Sequence, residues 1–435
     1  MGQCSTKTVG LCAAALALAG CMSGASGDVD SVTRMRYPDA GGTPTHADKI
    51  NAESAIIQSL VARRSVLPDG SPYSRVATAV LAANARTAES ELRAAQLRSR
   101  AASKNWLPQI GPQISLTSLS SVITNLVVEQ VIYDNGRKKG EREFAVADVE
   151  VAAVALASDT NARVRQGLDL YVAAAEAREK FALGTRTLKD MSHFEWVMQE
   201  RVQGGVSDGS DLYILRQKLG EIRASQTASA ETASTAMAEL NAMSIGDLGE
   251  VRGVPVLPVH AGLAQPLTVT QAEAEKVRAI AAAKVDRAGQ LPGLSAGGTV
   301  GEDSNFGLQV KTDNLLGLGT GDRIRAIEAT REAAGRRVAQ ANETADRTLR
   351  KLEGQIAAKE RQATEAAALT AQAKRNLDVF QAQYDAGQRQ VMDVVGVYET
   401  FARQQDAGVT LKYEAIRLRI EMAELLGVLA DGTAI

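Results

Sequence analysis

Asp393 stands six residues beyond Gly387 in YDAGQRQVMDVVGVY (Tyr384–Tyr398), and Asp211 stands six beyond Gly205 in RVQGGVSDGSDLYIL (Arg201–Leu215). By residue type alone, both are solvated acids near the start of returning helices, where a carboxylate suits the helix dipole. The other residues that could do chemistry are scattered. His46, His193 and His260 are isolated, none at metal-ligand spacing from another His or from Cys. GLGTGD (Gly317–Asp322) has the glycines of a phosphate loop, but Asp322-Arg323 follows where such a loop needs Lys-Ser/Thr. It reads as a strand-to-helix turn with Asp322 near the helix N-terminus. No nucleophile elbow or Glu-rich helical metal motif occurs. Trp106, at the end of a helix, and Trp196, within one, read as packing or interface residues. The expectation is a protein that is not an enzyme and uses no cofactor or metal. Its net charge of −2 gives no electrostatic reason to bind nucleic acid.

Cys4, Cys12 and Cys21 all lie in MGQCSTKTVGLCAAALALAGCMSG at the start. Lys7 precedes an apolar run, Leu11–Ala19, too short to span a bilayer and built like a secretory signal. Leu18-Ala19-Gly20-Cys21 resembles a bacterial lipobox. Residues 1–20 are then a signal peptide, Cys21 carries the lipid, and residues 21–47 form a flexible tether. Cleavage without lipid is one rival reading. MGQCST also fits N-myristoylation, which the apolar run disfavours. Export leaves no free thiol in the mature chain, which suits an oxidising periplasm.

The elements that must position these residues are mostly long helices. The chain has 435 residues, only 4% of them aromatic, and is rich in Ala, Glu, Gln, Arg and Leu, the composition of long helices and coiled coils. No proline falls between Pro112 and Pro255, and none follows Pro292, so helices can run uninterrupted there. Residues 140–203 and 321–383 each allow a helix of about 90–100 Å at ~1.5 Å per residue. Both are too polar to cross lipid. Phe144, Ala147, Val151 and Val154, like Leu411, Ala415, Leu418, Met422, Leu425 and Leu429, step by three and four as packed seams do.

Between helices the period changes to two. Ile110–Leu119 and Phe306–Asp313 alternate as strands, with Asn125–Tyr133 and Leu294–Glu302 as partners. Leu107-Pro108 introduces the first pair and Leu291-Pro292 the second; DNGR (Asp134–Arg137) and GLGTGD close them. The order of helix, two strands, long helix, tight turn and returning helix thus occurs twice, offset by 182 residues between Gly205 and Gly387. This is an internal duplication, with repeats at 48–250 and 251–435 forming one domain.

LPQI (Leu107–Ile110), QVIYDNGR (Gln130–Arg137), LPGLSAGG (Leu291–Gly298) and YDAGQRQVMDVV (Tyr384–Val395) make the chain resemble the TolC family of outer-membrane efflux and secretion channels. The resemblance covers nearly all residues after Asp48. It implies an α+β membrane protein: a long α-helical coiled-coil barrel joined to a transmembrane β-barrel of four strands per chain, completed by trimerisation. Four strands cannot close a barrel alone, and open sheet edges do not survive in lipid. The family also implies a passive tunnel of a tripartite efflux or type I secretion system, in the bacterial outer membrane and reaching into the periplasm. Its partners are a periplasmic adaptor and an inner-membrane pump, proton-driven or ABC-type. The turns Gly204, Gly205, Val206 and Ala386, Gly387, Gln388 fall at the periplasmic tip, where the adaptor docks. Tyr384, Arg389 and Asp393 match the family's gating tyrosine, arginine and pore aspartate, and Ser210 and Asp211 match their hydrogen-bonding partners. Gly396 replaces a second pore aspartate. The alternative is a periplasmic adaptor lipoprotein, which would carry one hairpin between globular β modules.

Overall fold

A computed structural model describes residues 54–83, 87–118, 121–300, 304–312 and 317–434. Cys21 with the signal and tether, and the strand-end residues Leu119, Glu302 and Asp313, lie outside the described residues. The chain divides at 44/45, and everything described belongs to the second unit.

Two short helices come first: α1 (Ala55–Val61) and α2 (Pro72–Ala82). The first repeat is α3 (Thr87–Ala102), β1 (Gln109–Ser118), β2 (Ser121–Tyr133), α4 (Arg137–Gln203) and α5 (Gly209–Ala242). The second is α6 (Leu267–Ala288), β3 (Gly293–Val300), β4 (Asn305–Lys311), α7 (Thr320–Asp385) and α8 (Val391–Leu425), before a short 3-10 turn, Gly432–Ala434. The long helices have 67 and 66 residues and the returning ones 34 and 35, so the two halves match in element lengths. Among the described residues no helix is long and apolar enough to cross a membrane.

The first strand-to-helix turn is held by a side chain and the second carries an acid in the first helical turn. Asp134 accepts from the backbone N–H of Gly136 at 3.1 Å and of Lys138 at 2.5 Å, with Asn135 and Gly136 at φ 54° and 85°. Asp322 sits in the first turn of α7 and pairs with Arg325 at 3.1 Å, so GLGTGD is the turn expected of it. Trp106 does not end a helix. The helix before it stops at Ala102, and Ser103, Lys104 and Asn105 form turns that lead to Pro108, since the residue before a proline avoids the α region.

The two strand pairs join into one antiparallel sheet, β1-β2-β3-β4, through Leu126↔Val300, Val128↔Gly298 and Gln130↔Ala296. The register sorts the faces. Ile110, Ile114, Leu126, Val128, Ala296, Val300, Phe306, Leu308 and Val310 share one face, with Gln130 among them; Gln109, Gln113, Asn125, Glu129, Ser295, Gln309 and Lys311 share the other, with Val127 and Val131. Phe306, Leu308 and Val310 are 69%, 69% and 75% exposed, so the apolar face is uncovered. Gly298 is required beside Phe306, because a Cβ there would lie 2.5 Å from its ring.

The helices pack in a wall. Near the sheet the order is α3–α4–α6–α7; below, it is α5–α4–α8–α7. The central helix α4 buries 21 of its 67 residues, whereas α7, on the flank throughout, buries eight of 66. One core cluster gathers Tyr73, Val164, Leu168, Tyr171, Leu240, Leu352, Tyr413, Ile420, Leu426 and Leu429 at mid-height. Asn161, fully buried in α4, ties the chain's end to it: its side-chain oxygen accepts from the backbone of Leu429 at 2.8 Å and Ala430 at 3.3 Å. Asn161→Leu strands two buried N–H donors, so it should destabilise the fold by ~2–4 kcal/mol, read as a lowered urea midpoint. An unchanged midpoint would remove Asn161 from this role.

Candidate tip site

The two hairpin turns have the same geometry, which follows from their shared glycine. Gly205 and Gly387 adopt φ 72° and 75°, the left-handed region where a side chain is strained. In the first turn Val206 N–H donates to Arg201 O and Gly205 N–H to Val202 O, at 2.8 and 3.1 Å; in the second Gln388 donates to Gln383 and Gly387 to Tyr384, both at 2.8 Å. These are paired Schellman closures. Gly204 and Ala386 are the corresponding C-caps. Gly387→Ala should cost about 1–2 kcal/mol and Gly387→Asn less, because Asn tolerates this region; equal losses in thermal melts would contradict the turn's role.

Each returning helix then starts on a polar cap. Asp208 accepts from Ser210 N at 3.1 Å, and that backbone N–H, with the Ser210 side chain, holds its carboxyl below the ordinary value. At the matching place Gln390 and Asp393 form a reciprocal capping box, in which Gln390 N donates to Asp393 at 3.2 Å. Asp393 is exposed, and so is Gly396 one turn on. The helix-start reading of Asp393 is thus satisfied whatever else it does.

A second core cluster fuses the two tips. Met191, Phe194 and Met198 of α4, Leu212, Leu215 and Leu219 of α5, Leu377 of α7, and Val391, Val394, Val395 and Tyr398 of α8 pack together, with Tyr384 half-buried against them. Tyr398 donates to Asp190 at 2.6 Å, and Lys218 to Glu399 at 2.7 Å, tying hairpin to hairpin. Burial first, then this bond to Asp190, pushes the Tyr398 phenol up. A small cavity between the tips is lined by Arg201, Asp208 and Asp211 from one hairpin and Gln390, Val391 and Met392 from the other.

Of the sequence-derived residues, Asp211 therefore faces the start of α8. Arg389 folds back over its own turn, donating to Gln383 at 3.0 Å with its guanidinium 4.5 Å from the Phe380 ring centre. Among the described residues no hydrogen bond or ion pair joins Tyr384 or Arg389 to Ser210 or Asp211 within one chain. Sequence reading missed the Asp190–Tyr398 tie and the tip core. Met191, Phe194 and Met198 carry a legible three-and-four spacing; nothing local marks Asp190.

No protein-family model matches this chain, and no curated protein matches it in sequence. Solved structures do match it. A membrane protein from Pseudomonas aeruginosa is 17% identical, with TM-score 0.71 over 83% of this chain and 91% of that one. The outer membrane protein VceC from Vibrio cholerae is 14% identical, with TM-score 0.68 over 87% and 96%. The outer membrane channel MtrE from Neisseria gonorrhoeae, in its open state, is 14% identical, with TM-score 0.70 over 82% and 90%. The fold of this chain is the fold of those proteins, a TolC-like helical wall with a four-stranded sheet.

Proposed function

We propose that this chain is one protomer of a TolC-type outer-membrane channel-tunnel, closed by three copies. The observation that carries the reading is that sheet and helices end on the same two flanks. β4 runs into α7, and α3 leads to β1, so each chain offers an α7–β4 flank and an α3–β1 flank. The unpaired edges of β1 and β4 cannot face lipid. Pairing them between copies closes a barrel whose apolar face, with Phe306, Leu308 and Val310, meets the bilayer. The same closure covers the exposed side of α7, near the sheet with the next copy's α3 and below it with the next copy's α5.

The helices then enclose a tunnel through the periplasm, with the tip turns at its inner end. Gly204–Val206 and Ala386–Gln388 dock a periplasmic adaptor, and the pump behind it, proton-driven or ABC-type, supplies both energy and substrate choice. Closure sets the α7–α8 tip beside the α5 flank of the next copy, so Tyr384 and Arg389 reach its Ser210 and Asp211 and hold the pore shut. Three Asp393 carboxylates line the constriction. Cys21 carries lipid, and residues 21–47 tether the anchor outside the barrel.

Carbonate and urea extraction of native membranes, followed by planar-bilayer recording of the purified protein, tests the function. A channel resists extraction and gives cation-selective conductance; an adaptor lipoprotein gives none, and that result would replace this reading.

A further inference from the structure

The rim where the sheet meets the helices differs on its two faces. Leu107 and Gln109 line a cavity on the polar face with Glu129 and Lys311. On the apolar face the last residue of β2 before the rim is Gln130, opposite Ala296, and its side-chain amide donates to the Trp106 carbonyl at 2.8 Å. That bond fixes the backbone of Trp106 where the apolar face ends, and Trp106 is 60% exposed. Three cations stand at the same level. Lys104 and Lys139 are exposed, and the Arg142 guanidinium donates to Asn105 Oδ1 at 3.0 Å. Among the described residues none of the three pairs with a carboxylate, because the neighbouring acids are taken: Glu141 by Arg137 and Lys138, and Glu143 by Lys284. Asn105 is itself anchored, donating to Lys138 O at 3.0 Å and Glu141 at 2.9 Å, so it holds Arg142 in place. Arg137 and Lys138 line the cavity, whereas Lys139 lies about 100° further round α4.

We propose that Lys104, Lys139 and Arg142, with Trp106, bind the phosphate of an anionic phospholipid of the phosphatidylglycerol type, in the leaflet that meets the helices. The inference rests on the channel reading, in which the apolar face meets lipid. Tryptophan settles at headgroup level, where its ring is half apolar and its N–H reaches water. Basic side chains just outside the hydrocarbon attract anionic headgroups, and a guanidinium already held in position matches a phosphate with two N–H donors. The occupant is a lipid rather than a free phosphate because the cations adjoin an apolar surface. Ile110 and Ile114, each 66% exposed, continue from Trp106 along β1 and give an acyl chain its contact.

Native mass spectrometry of the purified full-length protein in detergent, with phosphatidylglycerol and phosphatidylcholine supplied in equal amounts, tests this. The protein should retain phosphatidylglycerol in preference. Each cation contributes about fivefold to such attraction, so K104Q/K139Q/R142Q should lower the preference more than about tenfold. K104Q/K139Q, which changes only exposed side chains, should already lower it. K311Q removes an exposed cation from the polar face and should leave it unchanged. Excess inorganic phosphate should not displace the lipid. Equal retention of the two lipids, an undiminished preference in the triple variant, or displacement by phosphate would each overturn the proposal. None of these results touches the channel reading, which fails instead if carbonate extracts the unaltered protein from native membranes.

Discussion

Replacing Leu308 by Arg should nearly abolish assembly in the outer membrane, while Gln309→Arg, one residue on, should assemble. The two residues alternate on β4 across from Ala296 and Ser295, so only Leu308 is on the apolar face. An arginine at mid-bilayer on a barrel's lipid face costs ~2–4 kcal/mol. A threefold assembly carries that cost three times, enough to exceed the stability of an ordinary domain when it approaches ~10 kcal/mol. The comparison is made by quantifying both variants in washed outer membranes. Equal yields would mean that this face does not meet lipid.

The second large effect lies at the tip. On the proposed closure, Tyr384→Phe with Arg389→Ser should raise single-channel conductance severalfold, because each proposed link to the next copy contributes only ~0.5–1.5 kcal/mol and three copies of two links would act together. Asp393→Asn should separate the acid's two roles. The amide retains a side-chain oxygen for the bond from Gln390 N, so the helix start survives, but the charge is gone. Cation selectivity should therefore fall sharply while the melting temperature barely moves, since carboxylate rings select cations and Gly396 offers no second ring. A loss of stability with selectivity intact would assign Asp393 to capping alone. Among the tip acids, Asp208 adds a pH effect. Its folded carboxyl sits below its ordinary value, so its capping contribution is present above that value and fades as pH falls through the depressed one.

Much of this was legible because punctuation is local. Pro108 and Pro292 mark strand starts, Gly205 and Gly387 mark turns that need a left-handed residue, and the proline-free stretches between them became helices of 67 and 66 residues. The strands followed from alternation, clearest in Phe306, Leu308 and Val310. What was not legible is what joins residues far apart. Val128 and Gly298 pair across the two repeats, and no spacing in either strand encodes that partner. Asp190 and Tyr398, or Asn161 and the chain's end, are ordinary polar residues until the fold brings them together. The flank position of α7 was hidden for a related reason: its sequence is as helical as that of α4, and only packing shows that one side lacks a neighbour.

Crosslinking between copies tests the closure most directly. Gln113 on β1 and Gln309 on β4 sit on the polar face of opposite edge strands of one sheet. With Cys at both positions, a short bifunctional thiol reagent should join β4 of one copy to β1 of the next in native membranes. The account predicts a ladder of one, two and three chains that stops at three, absent from either single-Cys control. A product that stays monomeric, or a ladder running beyond three, would contradict it.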